Sequence, residues 1–209
     1  MPDSPERKPT LLSRIVRRAI IGIYHAKGWK VATGGLPDIP KYLIVGSPHS
    51  SNWDFVFFVG ATARRGVKPG FMGKHTLFEG VMGNFMYDMG GVPVDRSKRA
   101  NYVEQVAAEF SRRDRLALVM APEGSRNSDG EWRSGFWHIA RAAQVPIVAT
   151  WVDPGAHRLG FSEPFMPGDS YGRDLAHIAE FLRKHRPEYS RYKVLEAQAQ
   201  AVIAAEQEA

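Results

Sequence analysis

Short apolar runs that alternate with segments of helical spacing constrain the fold of this chain most strongly. The run Tyr42–Gly46 is apolar and partly β-branched, as a buried strand is. Three later runs also have strand length, at Gly91–Val94, Leu116–Ala121 and Pro146–Val152. Helical spacing is found between them, at Asp54–Arg65 and Tyr102–Arg112. Strands that alternate with helices predict an α/β fold, in which helices flank a mostly parallel or mixed central sheet.

The length of 209 residues predicts one domain with appendages. We place that domain at residues 34–209 and an N-terminal segment at residues 1–33. Two helices are predicted at the C-terminus, Asp174–Arg186 and Tyr189–Glu208, with a break at Pro187. Residues 174–209 are therefore expected to form a helical brace.

The residue pattern of the N-terminal segment predicts an amphipathic helix between Pro9 and Lys27. Its apolar residues recur at three- and four-residue spacing, and they are Leu11, Leu12, Ile15, Val16, Ala19, Ile20 and Ile23. Arginines at 14, 17 and 18 lie on or beside the other face. The apolar stretches are far shorter than the roughly 18 residues needed to span a bilayer. We expect this helix to lie on an anionic membrane surface. The alternative is a solvated helix packed on its own domain.

Composition excludes several classes of protein. The chain has no cysteine, which rules out disulfides, thiolate metal sites and a cysteine nucleophile. A cytoplasmic protein, peripheral on the cytoplasmic face of the membrane, is therefore expected. The formal net charge of +6 is concentrated in the terminal segment, and no nucleic-acid motif accompanies it. No metal is expected, because no histidine cluster has ligand spacing. A G-x-S-x-G motif of hydrolases is also absent.

His49 and Asp54 stand where the first predicted strand ends. They are five positions apart, and residues at that spacing on a straight helix diverge by about 140°. The two can meet only if His49 lies in a loop folded against a helix that begins near Asn52. Asp54 would then fix the tautomer of the imidazole, which would act as a general base. Without a nucleophilic serine, the acceptor hydroxyl would attack directly; Ser50 and Ser51 are the alternative nucleophiles. A pair at this spacing can also be two unrelated capping or surface residues.

Three further blocks follow at predicted strand ends: Gly90–Arg96, Ala121–Arg126 and Val145–Val148. Together with the His49 block and in this order, they resemble the motifs of the glycerolipid acyltransferase family, which includes 1-acylglycerol-3-phosphate acyltransferases. The resemblance covers roughly residues 40–152. Two positions depart from the family pattern, where Pro48 replaces an asparagine and Ser125 a threonine. Pro48 removes a backbone donor beside the predicted site and leaves the identity of the acceptor open.

The resemblance implies the substrates and their binding residues. An acyl thioester, acyl-CoA or acyl carrier protein, would be the donor, no other cofactor would be needed, and a phosphate-bearing lipid would be the acceptor. The block Glu123, Gly124, Ser125 and Arg126 would hold the acceptor phosphate. Arg126 can bind phosphate bidentately, and Gly124 permits close approach of the backbone. Because a carboxylate repels phosphate, we expect Glu123 to orient Arg126 or a backbone amide.

Two further cations are candidates for the same site. Arg96 would supply a second positive charge, unless it pairs with Asp95 or Glu123. Lys74 would face either the phosphate or the acyl donor. The alternative function is that of a non-catalytic lipid-binding or scaffold protein with the same fold.

Overall fold

The computed structural model describes residues 8–47, 53–63, 66–95, 101–124 and 129–208, without the side chains of residues 53–55 and 81. These residues form seven α-helices: α1 Leu11–Ala26, α2 Trp53–Ala63, α3 Gly80–Asp88, α4 Tyr102–Ser111, α5 Gly135–Ala143, α6 Tyr171–His185 and α7 Ser190–Glu208. They also form seven strands: β1 Lys30–Thr33, β2 Lys41–Ser47, β3 Pro69–Lys74, β4 Gly91–Val94, β5 Leu116–Met120, β6 Ile147–Asp153 and β7 Arg158–Phe161. The 3₁₀ turn His75–Phe78 joins β3 to α3.

The strands form one sheet in the order β1-β7-β6-β2-β5-β3-β4. From β6 to β4 all neighbouring strands are parallel, and β2 is central, paired with β6 on one side and β5 on the other. At the other end β7 runs antiparallel to β6, and β1 runs parallel to β7. The prediction of an α/β domain with a mostly parallel or mixed sheet is therefore confirmed.

The predicted elements are present with end shifts of a few residues, and the structure adds several more. The sequence analysis did not predict β1, β3, β7, α3 or α5. The omission of β3 has a clear physical reason, because its sequence Pro-Gly-Phe-Met-Gly-Lys is poor in β-branched residues. Its conformation is set instead by pairing with β4 and β5 on its two sides.

Alternate residues of β2 face the two sides of the sheet and enter separate apolar clusters. Leu43 and Val45 pack in the cluster that contains buried residues of α4, α5, α6 and α7. Tyr42 and Ile44 pack in the cluster that contains Tyr24 and Trp29 with buried residues of α2. The two-residue period of a strand thus divides the helices into two layers. The buried residues of α6 and α7 belong to the first layer, and the role of residues 174–209 as a brace stays a prediction.

Helix α1 packs on the protein through its more polar face. Ser13 and Tyr24 are its buried residues, while Leu11, Leu12, Ile15 and Ile23 are exposed. The Asp88 carboxylate accepts hydrogen bonds from the Thr10 backbone N–H at 3.0 Å and the Ser13 hydroxyl at 2.7 Å. The predicted helix is present, and most of its apolar face does not contact the domain.

The role of α1 at a membrane surface stays a prediction. In the part of the chain that the structure describes, no helix is long and apolar enough to cross a bilayer. The division at residue 33 also stays a prediction, and β1 extends the sheet into the N-terminal segment.

Candidate active site

The predicted site residues follow the carboxyl ends of four neighbouring parallel strands. His49 comes two positions after β2, Glu123 follows β5, Lys74 ends β3, and Arg96 comes two positions after β4. These strands are adjacent in the order β2-β5-β3-β4, and neighbouring strands lie about 4.8 Å apart. Because the carboxyl ends of parallel strands lie on one side, three of the sequence blocks and Lys74 follow strands that end on the same side of the sheet. The prediction that Val145–Val148 also stands at a strand end is wrong, because this block leads into the start of β6, where Ile147 is in register with Leu43.

Several predicted residues lie outside the described part of the structure. These residues are His49, Arg96, Ser125 and Arg126. Asp54 lies in the first turn of α2, but its side chain is also outside the described part. The contact between His49 and Asp54 therefore stays a prediction, as do the roles of Arg96, Ser125 and Arg126.

Glu123, among the described residues that follow these strands, is a charged residue whose side chain has no exposed surface. The Ser47 hydroxyl donates a hydrogen bond to its Oε1 at 2.5 Å. On the other oxygen, Oε2 accepts one from Nη1 of Arg191 at 2.9 Å. A carboxylate with both oxygens engaged and no exposed surface is a poor direct contact for a phosphate. Its described partners are thus the end of β2 and the start of α7, whereas its orientation of Arg126 stays a prediction.

The end of β2 is held at its backbone as well. Tyr192, a fully buried residue of α7, donates a hydrogen bond from its hydroxyl to the Ser47 carbonyl at 2.8 Å. Burial raises the pKa of the Tyr192 phenol far above its ordinary value, and the smaller opposing effect comes from Arg186. The phenol therefore remains a neutral donor. The hydroxyl and the carbonyl of Ser47, the last residue of β2, are thus both held by residues from other parts of the chain.

Gly124 has a conformation and surroundings that favour glycine. Its φ is +73°, and a Cβ at this position would lie 3.0 Å from Nε of Arg133. The Arg133 side chain therefore lies directly against the backbone of Gly124. Arg133 is exposed and has no ion-pair partner among the described residues. The sequence analysis missed this cation, although it stands only seven positions after Arg126 and just before α5.

Lys74 is exposed at the end of β3, where it is paired in register with Val94 of β4. The adjacent His75 places its Nδ1 3.9 Å from Oδ1 of Asp95. His75 and Asp95 are twenty positions apart in the sequence and are brought together by the pairing of β3 with β4. The Lys74 ammonium thus belongs to the same edge as Glu123, one strand beyond β5.

A cavity of about 230 Å³, lined by both apolar and polar side chains, lies where the ends of α1 and β6 meet the first half of α2. Trp29 is part of its lining, and the centroid of the Trp29 ring lies 3.8 Å from that of Phe57 and 5.3 Å from that of His157. Its lining also includes Ile23, Tyr24, Lys27, Val56 and Pro154. Val56 lies two positions after Asp54, so the cavity adjoins the first turn of α2.

A comparison with protein families identifies the chain. The model of the family described as Acyltransferase matches residues 31–153, which is more than half of the sequence. The chain belongs to the Acyltransferase family. The predicted family is therefore confirmed. The matched segment runs from β1 to the end of β6 and contains all four sequence blocks, whereas α6 and α7 lie beyond it.

Curated relatives of this acyltransferase-family chain share one name. The chain is 29% identical over 147 residues to a 1-acyl-sn-glycerol-3-phosphate acyltransferase of Limnanthes douglasii, and the match covers 68% of this chain and 50% of that protein. The enzyme of that name from Streptococcus pneumoniae is 29% identical over 127 residues, 58% of this chain and 46% of the relative. The human protein named 1-acyl-sn-glycerol-3-phosphate acyltransferase beta is 31% identical over 111 residues, 50% and 39% of the two chains. The chain thus spans half or less of the length of these relatives. No solved structure matches it.

Proposed function

We propose that this member of the Acyltransferase family transfers a fatty acyl group from a thioester to a hydroxyl of a lysophospholipid-type acceptor that bears a phosphate. The family and the names of the relatives support this function. One structural observation supports the location of this reaction at the ends of β2 and β5. The hydrogen bond from Ser47 to Glu123 joins the strand end before His49 to the block that is proposed to hold the phosphate.

In the proposed reaction His49 is the general base. Its imidazole takes the proton of the acceptor hydroxyl while the hydroxyl oxygen attacks the thioester carbonyl. The tetrahedral intermediate collapses, the carbon–sulfur bond breaks, and the proton is returned to the leaving thiolate. Asp54 fixes the tautomer of the imidazole and stabilises its charged form. No covalent acyl-enzyme is formed, and acyl-CoA or acyl carrier protein serves as donor.

The acceptor phosphate is assigned to the block that follows β5. In a 1-acylglycerol 3-phosphate, the free hydroxyl and the phosphate are on neighbouring carbon atoms. With the hydroxyl at the end of β2, the phosphate falls near the end of the adjacent β5, about 4.8 Å away. Gly124, Ser125 and Arg126 follow that strand, and the exposed Arg133 guanidinium lies against Gly124. Lys74 and Arg96 follow the next strands and extend the positive charge for acceptor or donor.

The acyl chain is assigned in part to the cavity around Trp29. Apolar side chains of α1 and α2 form its walls, and Lys27 and His157 add polar groups to its lining. This arrangement suits an apolar chain with a polar end. The cavity is also next to the exposed Ile23 of α1, which is part of the apolar face proposed below to contact lipid.

Helix α1 is proposed to hold the enzyme on an anionic membrane surface. The exposed fractions of Leu11, Leu12 and Ile15 are 70%, 62% and 55%, although apolar side chains of this size are normally buried. Arg14 and Arg18 are exposed, while Arg17 turns toward the protein and donates to the Val67 carbonyl at 2.9 Å. An apolar face beside exposed arginines matches the boundary between acyl chains and anionic headgroups.

The membrane proposal is tested by replacing surface residues of α1 in the full chain. Removal of residues 1–30 is unsuitable, because it also takes Tyr24 and Trp29 from the core. We expect the triple variant Leu11→Ser, Leu12→Ser and Ile15→Ser to lose binding to phosphatidylglycerol vesicles in sedimentation assays. High salt should weaken binding of the wild type without abolishing it.

A matched control variant replaces exposed apolar residues outside α1. Met166→Ser with Val194→Ser removes side chains that are 57% and 36% exposed and should sediment like the wild type. Equal loss of binding in both variants, or full retention by the α1 variant, would contradict the proposal.

The catalytic proposal is tested with labelled acyl-CoA and 1-acylglycerol 3-phosphate. His49→Ala is expected to lose about 10² to 10⁴ in rate while it stays folded by circular dichroism. Asp54→Asn should also impair turnover. His138→Ala is the control, because His138 is an exposed residue of α5. Near-normal transfer by folded His49→Ala would refute the mechanism. Lipid binding without any transfer by the wild type would favour a non-catalytic lipid-binding protein.

A further inference from the structure

Helix α7 contacts both the end of β2 and the segment that contains the proposed phosphate block. It lies beyond the part of the chain that matches the family model, which ends at residue 153. We infer that α7 is a positioning element of the active site, and that it acts through Arg191, Tyr192 and Gln198. This inference rests on the proposed function, because it assigns the role of these residues to that reaction.

The first contact is the ion pair between Arg191 and Glu123, two residues 68 positions apart. The Glu123 side chain is fully buried and the Arg191 side chain is 27% exposed. A buried carboxylate requires a cation or hydrogen-bond donors close by. Glu123 receives the cation from α7 and a hydroxyl donor from Ser47, so the position of each partner depends on the other two.

The second contact is the hydrogen bond from Tyr192 to the Ser47 carbonyl. Ser47 is thereby bound by its side chain to Glu123 and by its backbone to α7. Both contacts of Ser47 depend on the first turn of α7, because Tyr192 belongs to that turn and Glu123 is paired with Arg191 of the same turn. His49 follows Ser47 by two positions, so the start of its segment is fixed by α7.

The third contact is between Gln198 and the segment that follows the phosphate block in the sequence. The Gln198 side-chain amide binds the backbone of Trp132 in both directions: Oε1 accepts from the Trp132 N–H at 2.9 Å, and Nε2 donates to its carbonyl at 2.8 Å. Gly130, at φ +114°, lies so close to Arg191 that a Cβ would approach its side chain to 3.0 Å. Helix α7 thus binds residues on both sides of Arg126 in the sequence, Glu123 before it and Trp132 after it. Trp132 precedes Arg133, the residue that lies against Gly124.

These contacts predict a specific kinetic effect. Displacement of a reacting group by about 1 Å can reduce the rate about 100-fold. We expect Arg191→Met to lower kcat about tenfold to 100-fold, with Michaelis constants of donor and acceptor changed less than about threefold. Arg191→Lys keeps the charge for Glu123 and should recover part of the lost kcat. Gln198→Leu, which removes the contacts to Trp132, should instead raise the acceptor's Michaelis constant.

Arg183→Met is the matched control. Arg183 belongs to α6 and pairs with Glu196 of α7 at 3.5 Å, so the variant also removes an arginine–glutamate pair of the C-terminal helices. That pair has no contact with Ser47 or Glu123, and we expect wild-type kinetics. Hydrogen exchange by mass spectrometry should show faster exchange at the end of β2 and after β5 in Arg191→Met, but not in Arg183→Met.

The outcomes separate this inference from the proposed function. Absence of transfer by the wild type refutes the proposed function, while hydrogen exchange still tests the positioning of β2 by α7. Unchanged kcat and exchange in Arg191→Met refute the inference. An increase in the acceptor's Michaelis constant at constant kcat in Arg191→Met also refutes it, because Arg191 would then bind substrate itself. If Arg191→Met does not fold, Arg191→Lys and Tyr192→Phe carry the same comparison, and wild-type kcat and exchange in both would refute positioning.

Discussion

The contact of α1 with α2 predicts opposite effects of two glycine-to-alanine substitutions. A Cβ at Gly60 of α2 would lie 2.1 Å from Cγ of Tyr24 and 2.5 Å from its Cβ. A Cβ at Gly22 of α1 would have no neighbour within 4 Å. Both glycines lie inside helices, where alanine is favoured by about 0.5–1 kcal/mol. The two substitutions therefore share the helix contribution and differ in the packing contribution.

The balance of these contributions gives the magnitude. Insertion of a methyl group into a packed contact typically costs about 1–3 kcal/mol. Tyr24 cannot easily move away, because it is 2% exposed and its ring also packs near Trp29. After subtraction of the helix gain, we expect Gly60→Ala to lower the free energy of unfolding by roughly 0.5–2 kcal/mol. Gly22→Ala should instead raise it by about 0.5–1 kcal/mol.

Urea denaturation followed by circular dichroism measures both effects. A difference of 1 kcal/mol corresponds to roughly 2–4 °C in the melting temperature of a chain of this size, so a thermal scan provides a second measurement. Gly60→Ala should also make α1 more sensitive to limited proteolysis. If Gly60→Ala were as stable as Gly22→Ala, the close approach of the two helices at Tyr24 would be wrong.

Three further predictions concern other contacts. Arg126→Ala and Arg133→Ala should each raise the acceptor's Michaelis constant about tenfold and leave the donor's unchanged in steady-state kinetics; the reverse pattern would move the phosphate assignment to the donor. Asp88→Ala should lower the free energy of unfolding by about 2–3 kcal/mol in urea titrations, because two hydrogen bonds to a buried carboxylate are lost. Val56→Phe should narrow the cavity at Trp29 and reduce kcat/KM for long-chain more than for short-chain acyl-CoA; equal effects would exclude this cavity as the acyl site.

The central part of the fold could be predicted because its signals are local. Buried strands such as β2 and β5 are short apolar runs, and α4 has helical spacing. Parallel pairing then brings the carboxyl ends of these strands to one side of the sheet, and the common site that the sequence blocks predict rests on this arrangement. By contrast, β3 and β7 are held by their neighbours in the sheet, and their own residues give little indication of a strand.

The orientation of α1 could not be predicted from its local sequence pattern. Helical periodicity identifies the apolar residues and the face that they share, but it does not determine what that face contacts. In the structure the Ser13 and Tyr24 face packs on the domain, because Asp88 binds the start of the helix and Gly60 leaves room for the Tyr24 ring. The apolar face, including Leu11 and Ile15, is left exposed.

The sequence by itself determined the family, the α/β class and three of the four blocks at strand ends, since each depends on residues close together in the chain. Only the tertiary structure showed that Glu123 is buried between Ser47 and Arg191, and that Arg133 lies against Gly124. Arg191 on α7 is 68 positions from its carboxylate partner. No periodicity or motif spacing connects such residues, because packing of the helices against the sheet sets the distance between them.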